Sequence, residues 1–134
     1  MATIKDLFGI LYLINKACRF NYRIRLQKMI LIAKLDNKIN YDFSFEFLRH
    51  HFGPYSFELN SLVSQLASDG ALMEYGSGGG GYAYELSEFG KDILENVEQE
   101  IDPEDKEKID KLWSEHKYMS SKSLIEKAKR LYGW

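Results

Sequence analysis

The stretch YSFELNSLVSQLASDGALMEYGSGGGGYAYEL, residues 55–86, places a helix pattern directly before a hairpin pattern. Leu59, Leu62, Val63 and Leu66 recur at helical spacing, so residues 55–69 are predicted to be a helix, which Ser56 can cap. Residues 71–75 and 82–86 read as short strands. The glycine-rich run at 76–81 between them is typical of a hairpin tip, because glycine tolerates positive φ.

The residues before this stretch predict two more helices. Apolar residues at helical spacing predict a helix over 3–18, with Thr3 as N-cap, Asp6 in the capping-box position and Cys18 on the buried face. A second helix is predicted over 23–35, with Leu26, Met29, Ile30 and Ala33 inward and Lys28 off that stripe. Residues 41–52 alternate as a strand does but also fit a short helix from Ser44, and we favour the extended form.

The C-terminal part is predicted to be helical. Ser87 fits the N-cap of one helix, and Asp102-Pro103 fits the start of another over 104–116. Ser120 or Ser121 fits the cap of a last helix through Tyr132. The predicted class is therefore mainly α (α+β): a winged helix over residues 1–101 with a β-hairpin wing, and a C-terminal helical extension over 102–134. The extension is expected to pack on the same domain or on a dimer partner.

Composition narrows the function classes. The balance of 45% hydrophobic and 28% charged residues is that of a globular protein. A lone cysteine allows no internal disulfide, and no apolar run approaches the length of a membrane span, so a cytoplasmic location is expected. His50 and His51 are adjacent and point to different faces, which makes a poor metal site. No enzyme, cofactor or metal is predicted.

Three groups of residues together resemble the YwgA-like family of small winged-helix proteins: Arg25-Leu26-Gln27-Lys28, Phe52-Gly53-Pro54-Tyr55-Ser56, and Tyr84-Glu85-Leu86-Ser87 followed by Gly90. The likeness covers about residues 23–91. A more distant likeness is to the SocA or Panacea antitoxin-type domain. The resemblance implies a winged-helix fold and a regulatory role. This chain departs from the pattern at the tip of the wing, which has no basic residue.

The leading functional interpretation is DNA binding in a regulatory setting, as a possible homodimer. Basic residues dominate positions 1–52, and acidic residues dominate 53–118. The predicted nucleic-acid site consists of phosphate-holding Arg19, Arg23, Arg25, Lys28 and Arg49, and of groove-facing Tyr55, Ser56, Asn60 and Ser64. Because the predicted recognition helix has no Arg or Lys, an alternative stays open. In it the winged helix is a protein–protein adaptor that uses Tyr55, Phe57, Tyr75 and Tyr82.

Overall fold

A computed structural model describes residues 2–51, 53–77 and 81–134. It is a mostly helical α+β structure with small antiparallel sheets. In chain order the elements are α1 (Ile4–Ala17), β1 (Phe20–Asn21), α2 (Arg23–Leu35), β2 (Leu48–His50), β3 (Gly53–Tyr55), α3 (Phe57–Ser68), β4 (Leu72–Ser77), β5 (Gly81–Leu86), α4 (Glu88–Glu98), α5 (Pro103–His116) and α6 (Ser121–Tyr132). The predicted ends of α1, α2 and α3 agree with these to within two residues.

Polar caps start the helices where the sequence predicts them. The hydroxyl of Thr3 accepts a hydrogen bond from the backbone N–H of Asp6, and the Asp6 carboxylate accepts one from the N–H of Thr3, which completes a capping box. The hydroxyls of Ser56, Ser87 and Ser120 cap α3, α4 and α6, and each accepts a hydrogen bond from the backbone N–H three positions on. Since these caps use local side chains, they were visible in the sequence alone.

The three-stranded sheet has the order β1-β5-β4, and all its pairings are antiparallel. Strand β1 adds to the predicted hairpin because Phe20 pairs with Tyr84, and this pairing covers one side of β5. The predicted glycine tip lies partly outside the described residues, which omit positions 78–80.

The segment 41–47 is extended, as favoured, and not helical. Tyr41, Phe43 and Phe45 are buried, while the residues between them are exposed. The ring centroids of Tyr41 and Phe43 lie 4.4 Å apart, and those of Phe43 and Phe45 lie 5.8 Å apart. An alternating aromatic row of this kind buries one face of an extended chain, which a helix could not do at that spacing.

The helices α5 and α6 pack on the same chain. Ile109 and Leu112 of α5, and Leu124 and Ala128 of α6, are buried in the one hydrophobic core that α1 and α2 also form. Lys127 of α6 bonds both Asp36 after α2 and the buried His116 of α5. The predicted extension therefore completes the core and covers a second side of α2.

Cys18 was predicted to be buried, and this prediction is wrong. The helix α1 ends at Ala17, so the helical spacing that placed Cys18 inward no longer applies. Cys18 has a φ of 62° at the C-cap of α1, and its thiol is exposed.

Candidate binding surface

Three of the predicted site residues meet around one guanidinium group. Arg23 Nη1 donates to Asn60 Oδ1 at 2.7 Å and to Ser64 Oγ at 3.0 Å. Its Nη2 pairs with Glu74 Oε2 at 3.1 Å, and its Nε donates to the hydroxyl of Tyr84 at 2.8 Å. The charge of Arg23 is thus balanced by Glu74, and the polar groups of Asn60 and Ser64 are engaged within the chain.

The other four predicted phosphate-binding residues each contact a different part of the molecule. Arg19 pairs with Glu85 at 3.0 Å and lies over the Tyr75 ring. Arg25 donates to the carbonyl of Met119, and burial lowers its pKa. Arg49 lies 4.8 Å from the centroid of Trp134. Lys28 was expected off the buried stripe of α2, but it is buried, because β3 and α6 cover that side of the helix.

Ser56 was predicted to face a DNA groove, and the structure corrects its placement. Its side chain is buried, and its hydroxyl caps α3 by accepting from the N–H of Leu59. Gln27 holds the backbone of Ser56 on both sides, since its Oε1 accepts from Ser56 N–H and its Nε2 donates to Ser56 O. A hydroxyl that is used as an N-cap points into its own helix, which was a signal available in the sequence.

Aromatic side chains gather at the N-terminal end of α3 instead. The ring centroids of His50 and Tyr55 lie 5.0 Å apart and stacked, and Phe57 meets both edge-on at 5.6 and 5.1 Å. The antiparallel pairing of β2 with β3 places His50 opposite Gly53 and so brings it to Tyr55. We call His50, Tyr55 and Phe57 the aromatic surface. Sequence reasoning considered His50 only as a metal ligand and missed it here.

A pocket of about 360 Å³ opens beside the aromatic surface. Its other lining residues are Arg23, Ile24, Lys28 and Gly53. Gly53 has a φ of 100°, a conformation that favours glycine, and it lies next to the side chains of Lys28 and Lys129. We call this cavity the Lys28 pocket.

The Lys28 ammonium group is unusual for its burial. The residue is 1% exposed, and its Nζ donates to the carbonyl of Pro54 at 2.5 Å. In the described part of the chain no carboxylate lies within 4 Å of it. Burial, together with a smaller effect of the positive charge of Lys129, lowers the pKa of Lys28 to about 8.

The free energy of unfolding should therefore rise with pH as Lys28 loses its proton. Its folded pKa lies below its unfolded value of 10.5, so the penalty for burying the charge is fully present below about pH 8 and is relieved as pH rises toward 10.5. Between about pH 7 and pH 9.5 we expect Lys28 to add about 2 kcal/mol to the free energy of unfolding. Denaturant unfolding at each pH measures this.

The control for this prediction is Lys34→Met, because Lys34 lies on the same helix and also donates to a backbone carbonyl, that of Phe45. The Lys28→Met variant should lose the rise with pH, and Lys34→Met should keep it. If both variants behave alike, the rise comes from another group.

Comparison with known proteins bears on the predicted resemblance. Over 82 residues the chain is 37% identical to the protein described as "Uncharacterized protein YwgA" of Bacillus subtilis (strain 168). The chain resembles YwgA. The predicted resemblance is thereby confirmed, and the match covers 59% of this chain and 48% of the relative. This chain accordingly spans about half the length of YwgA. No family model matches, and no solved structure matches.

In the part of the chain that the structure describes, the buried His116 is held in structural contacts and not in a metal site. Within the described ranges no group of three or more His, Cys, Asp or Glu residues is placed to hold a metal ion. His116 bonds the carbonyl of Leu112 through Nδ1 and Lys127 through Nε2, and burial lowers its pKa. Among the described helices, none combines the length and the apolar character that crossing a bilayer requires.

Proposed function

We propose that this chain is a non-catalytic winged-helix module that binds a protein partner through the aromatic surface. The winged-helix assignment is supported by the order α1-β1-α2-β2-β3-α3-β4-β5, in which the β4–β5 hairpin follows α3 directly, and by the sheet order β1-β5-β4. The single observation that carries the partner assignment is the aromatic cluster at the start of α3, in which Phe57 is exposed and His50 and Tyr55 are half-buried.

The exposed apolar side chains of this surface favour a protein partner. Phe57 is 55% exposed, and the neighbouring Leu48 is 53% exposed. Large apolar groups next to a pocket are the anchors that dominate binding energy in protein interfaces. Tyr82, also predicted for an adaptor, remains exposed on β5, whereas Tyr75 lies under Arg19.

DNA binding is the competing proposal, and its support is weaker. Phosphate contacts supply most non-specific DNA affinity. Arg19 and Arg23 are each paired with a carboxylate, and Arg25 is turned toward Met119. The α3 helix carries Glu58 in its first turn and no Arg or Lys. To bind a phosphate, Arg23 would have to give up its bonds within the chain. Otherwise DNA would have to be bound by other residues.

A matched pair of phenylalanines tests the proposal. Phe57 and Phe89 are almost equally exposed, at 55% and 53%, but Phe89 lies on α4, away from the aromatic surface. We expect a photo-crosslinking residue at position 57 to capture one discrete partner in the source organism, and the same residue at position 89 to miss it. Purified partner should then bind Phe57→Ala at least about 10-fold more weakly than Phe89→Ala, since an anchor contributes about 2 kcal/mol.

Two results would contradict this proposal. Equal crosslinking from positions 57 and 89 would remove the special role of the aromatic surface. Duplex DNA that binds at about 50 mM salt, weakens steeply by about 200 mM and is lost with Arg23→Ala would support the DNA proposal instead.

A further inference from the structure

We infer that the Lys28 pocket receives the C-terminal residue of the partner, with the carboxylate at Lys28 and a large apolar side chain against the aromatic surface. This inference rests on the proposed function, and it adds the chemistry by which the partner is recognised. Three features of the pocket support it: its charge, its size and walls, and the hydrogen bond that holds Lys28.

The charge of the pocket calls for an anion. A buried lysine is normally paired with a carboxylate, because an unpaired buried charge costs several kcal/mol. Lys28 has no such partner within 4 Å among the described residues. Arg49 and Lys129 both lie over the Trp134 ring at this end of the molecule, and the described residues place no carboxylate within 4 Å of either. The local field therefore attracts negative charge.

The size and the walls of the pocket suit a single apolar residue. A volume of about 360 Å³ is near the lower limit for ligand pockets. Ile24, Tyr55 and Phe57 supply apolar wall. A C-terminal residue has its carboxylate and its side chain on the same Cα atom, so it presents both groups within this small space. An internal Asp or Glu has its carboxylate at the end of the side chain and has no apolar group left to fill the cavity.

The lysine lines the pocket with N–H donors to spare, but because it is only 1% exposed, a ligand must shift part of the pocket wall to reach them. An ammonium group has three N–H donors, and the bond to Pro54 uses one of them. That bond fixes the Lys28 side chain against the β2–β3 hairpin, so little rotamer freedom is lost when a ligand arrives. A charge-assisted hydrogen bond to a carboxylate is about twice as strong as a neutral one.

A pair of peptides tests the inference on the full chain. The acid peptide is acetyl-Ala-Ala-Ala-Phe with a free carboxylate, and the control peptide is the same sequence with a C-terminal amide. We expect the acid peptide to bind at least about 10-fold more tightly, as one charge-assisted hydrogen bond predicts. Lys28→Met should remove this difference, and Lys34→Met should keep it.

Because Lys28→Met loses the bond to Pro54 and could disturb the fold, the unaltered chain provides a second measurement. The NMR resonance of the Lys28 Cε protons should shift when the acid peptide is added and stay in place with the amide. Equal binding of the two peptides, or no binding of either up to about 10 mM, overturns the inference.

Two other anions test whether the pocket is specific for a peptide C-terminus. Phenylacetate that binds as tightly as the acid peptide would assign the pocket to a free organic acid and overturn the partner terminus. An oligothymidine that binds more tightly than the peptide and depends on Lys28 would assign the surface to single-stranded nucleic acid, with the same consequence.

The two proposals fail in different ways. If crosslinking at position 57 survives Lys28→Met and the peptides do not bind, the protein-binding function stands and the carboxylate site falls. If the acid peptide binds through Lys28 but position 57 captures no partner, the carboxylate site stands and the proposed function falls.

Discussion

Gly90→Ala is expected to lower the free energy of unfolding by about 3 kcal/mol, as severe overpacking of a tight site does. A Cβ atom at position 90 would lie 2.1 Å from the carbonyl oxygen of Ala71 and 3.1 Å from its carbon. That carbonyl cannot easily move, because it accepts hydrogen bonds from the N–H and the hydroxyl of Ser87. The approach of α4 to the start of β4 therefore requires glycine.

Intrinsic helix propensity opposes this effect but is smaller. Alanine is favoured over glycine by about 1 kcal/mol inside a helix. Gly76→Ala is the matched control, because a Cβ there meets nothing within 4 Å. Its stability should stay within about 0.5 kcal/mol of the unaltered chain in denaturant unfolding. If Gly90→Ala is as stable as Gly76→Ala, α4 does not approach Ala71 closely enough to require glycine.

Asp6→Asn should have a comparable effect, about 3 kcal/mol, on the free energy of unfolding. Asp6 is 0% exposed, and its carboxylate accepts three hydrogen bonds: from the N–H of Thr3 at 2.9 Å, from the N–H of Ser44 at 2.8 Å and from the Ser44 hydroxyl. An amide keeps one acceptor oxygen and turns N–H groups toward these donors. In either orientation of the amide, one backbone N–H, that of Thr3 or that of Ser44, would then face another donor, whereas the Ser44 hydroxyl can rotate and accept.

The nearby Asp42→Asn is the control for Asp6→Asn, since Asp42 is exposed and should tolerate the change with little loss. Thermal and denaturant unfolding compare the two variants. Asp6 ties the start of α1 to the extended segment that leads into β2, so its loss should also loosen the hairpin that carries the aromatic surface. A stability near that of Asp42→Asn would show that the Asp6 bonds contribute little.

Local signals in the sequence predicted much of the fold. The caps at Thr3, Ser56 and Ser87 and the leucine spacing of α3 are decided by residues a few positions apart, so the helix ends could be placed from the sequence. The alternating aromatics of 41–47 also predicted an extended chain. The exposed Cys18 escaped prediction because a single positive φ ended α1 one residue before it.

The candidate site was less predictable because distant segments build it. Every residue from Leu26 to Ala33 is buried, although α2 has the pattern of a half-exposed helix. Its polar side is covered by β3, 26 residues away in the contact of Lys28 with Pro54, and by α6, which lies much further along the chain. The cluster of His50 with Tyr55 depends on the pairing of two three-residue strands, which are too short to recognise from alternation.

The contacts of Arg23 affect which substitutions this fold could accept during evolution. One guanidinium joins α2, α3, β4 and β5 through Asn60, Ser64, Glu74 and Tyr84. Substitutions in such a network are not additive, since the first loss already frees the remaining partners. A lineage that turned α3 toward nucleic acid would therefore bear most of the cost at its first substitution, and later changes at the remaining partners would cost less.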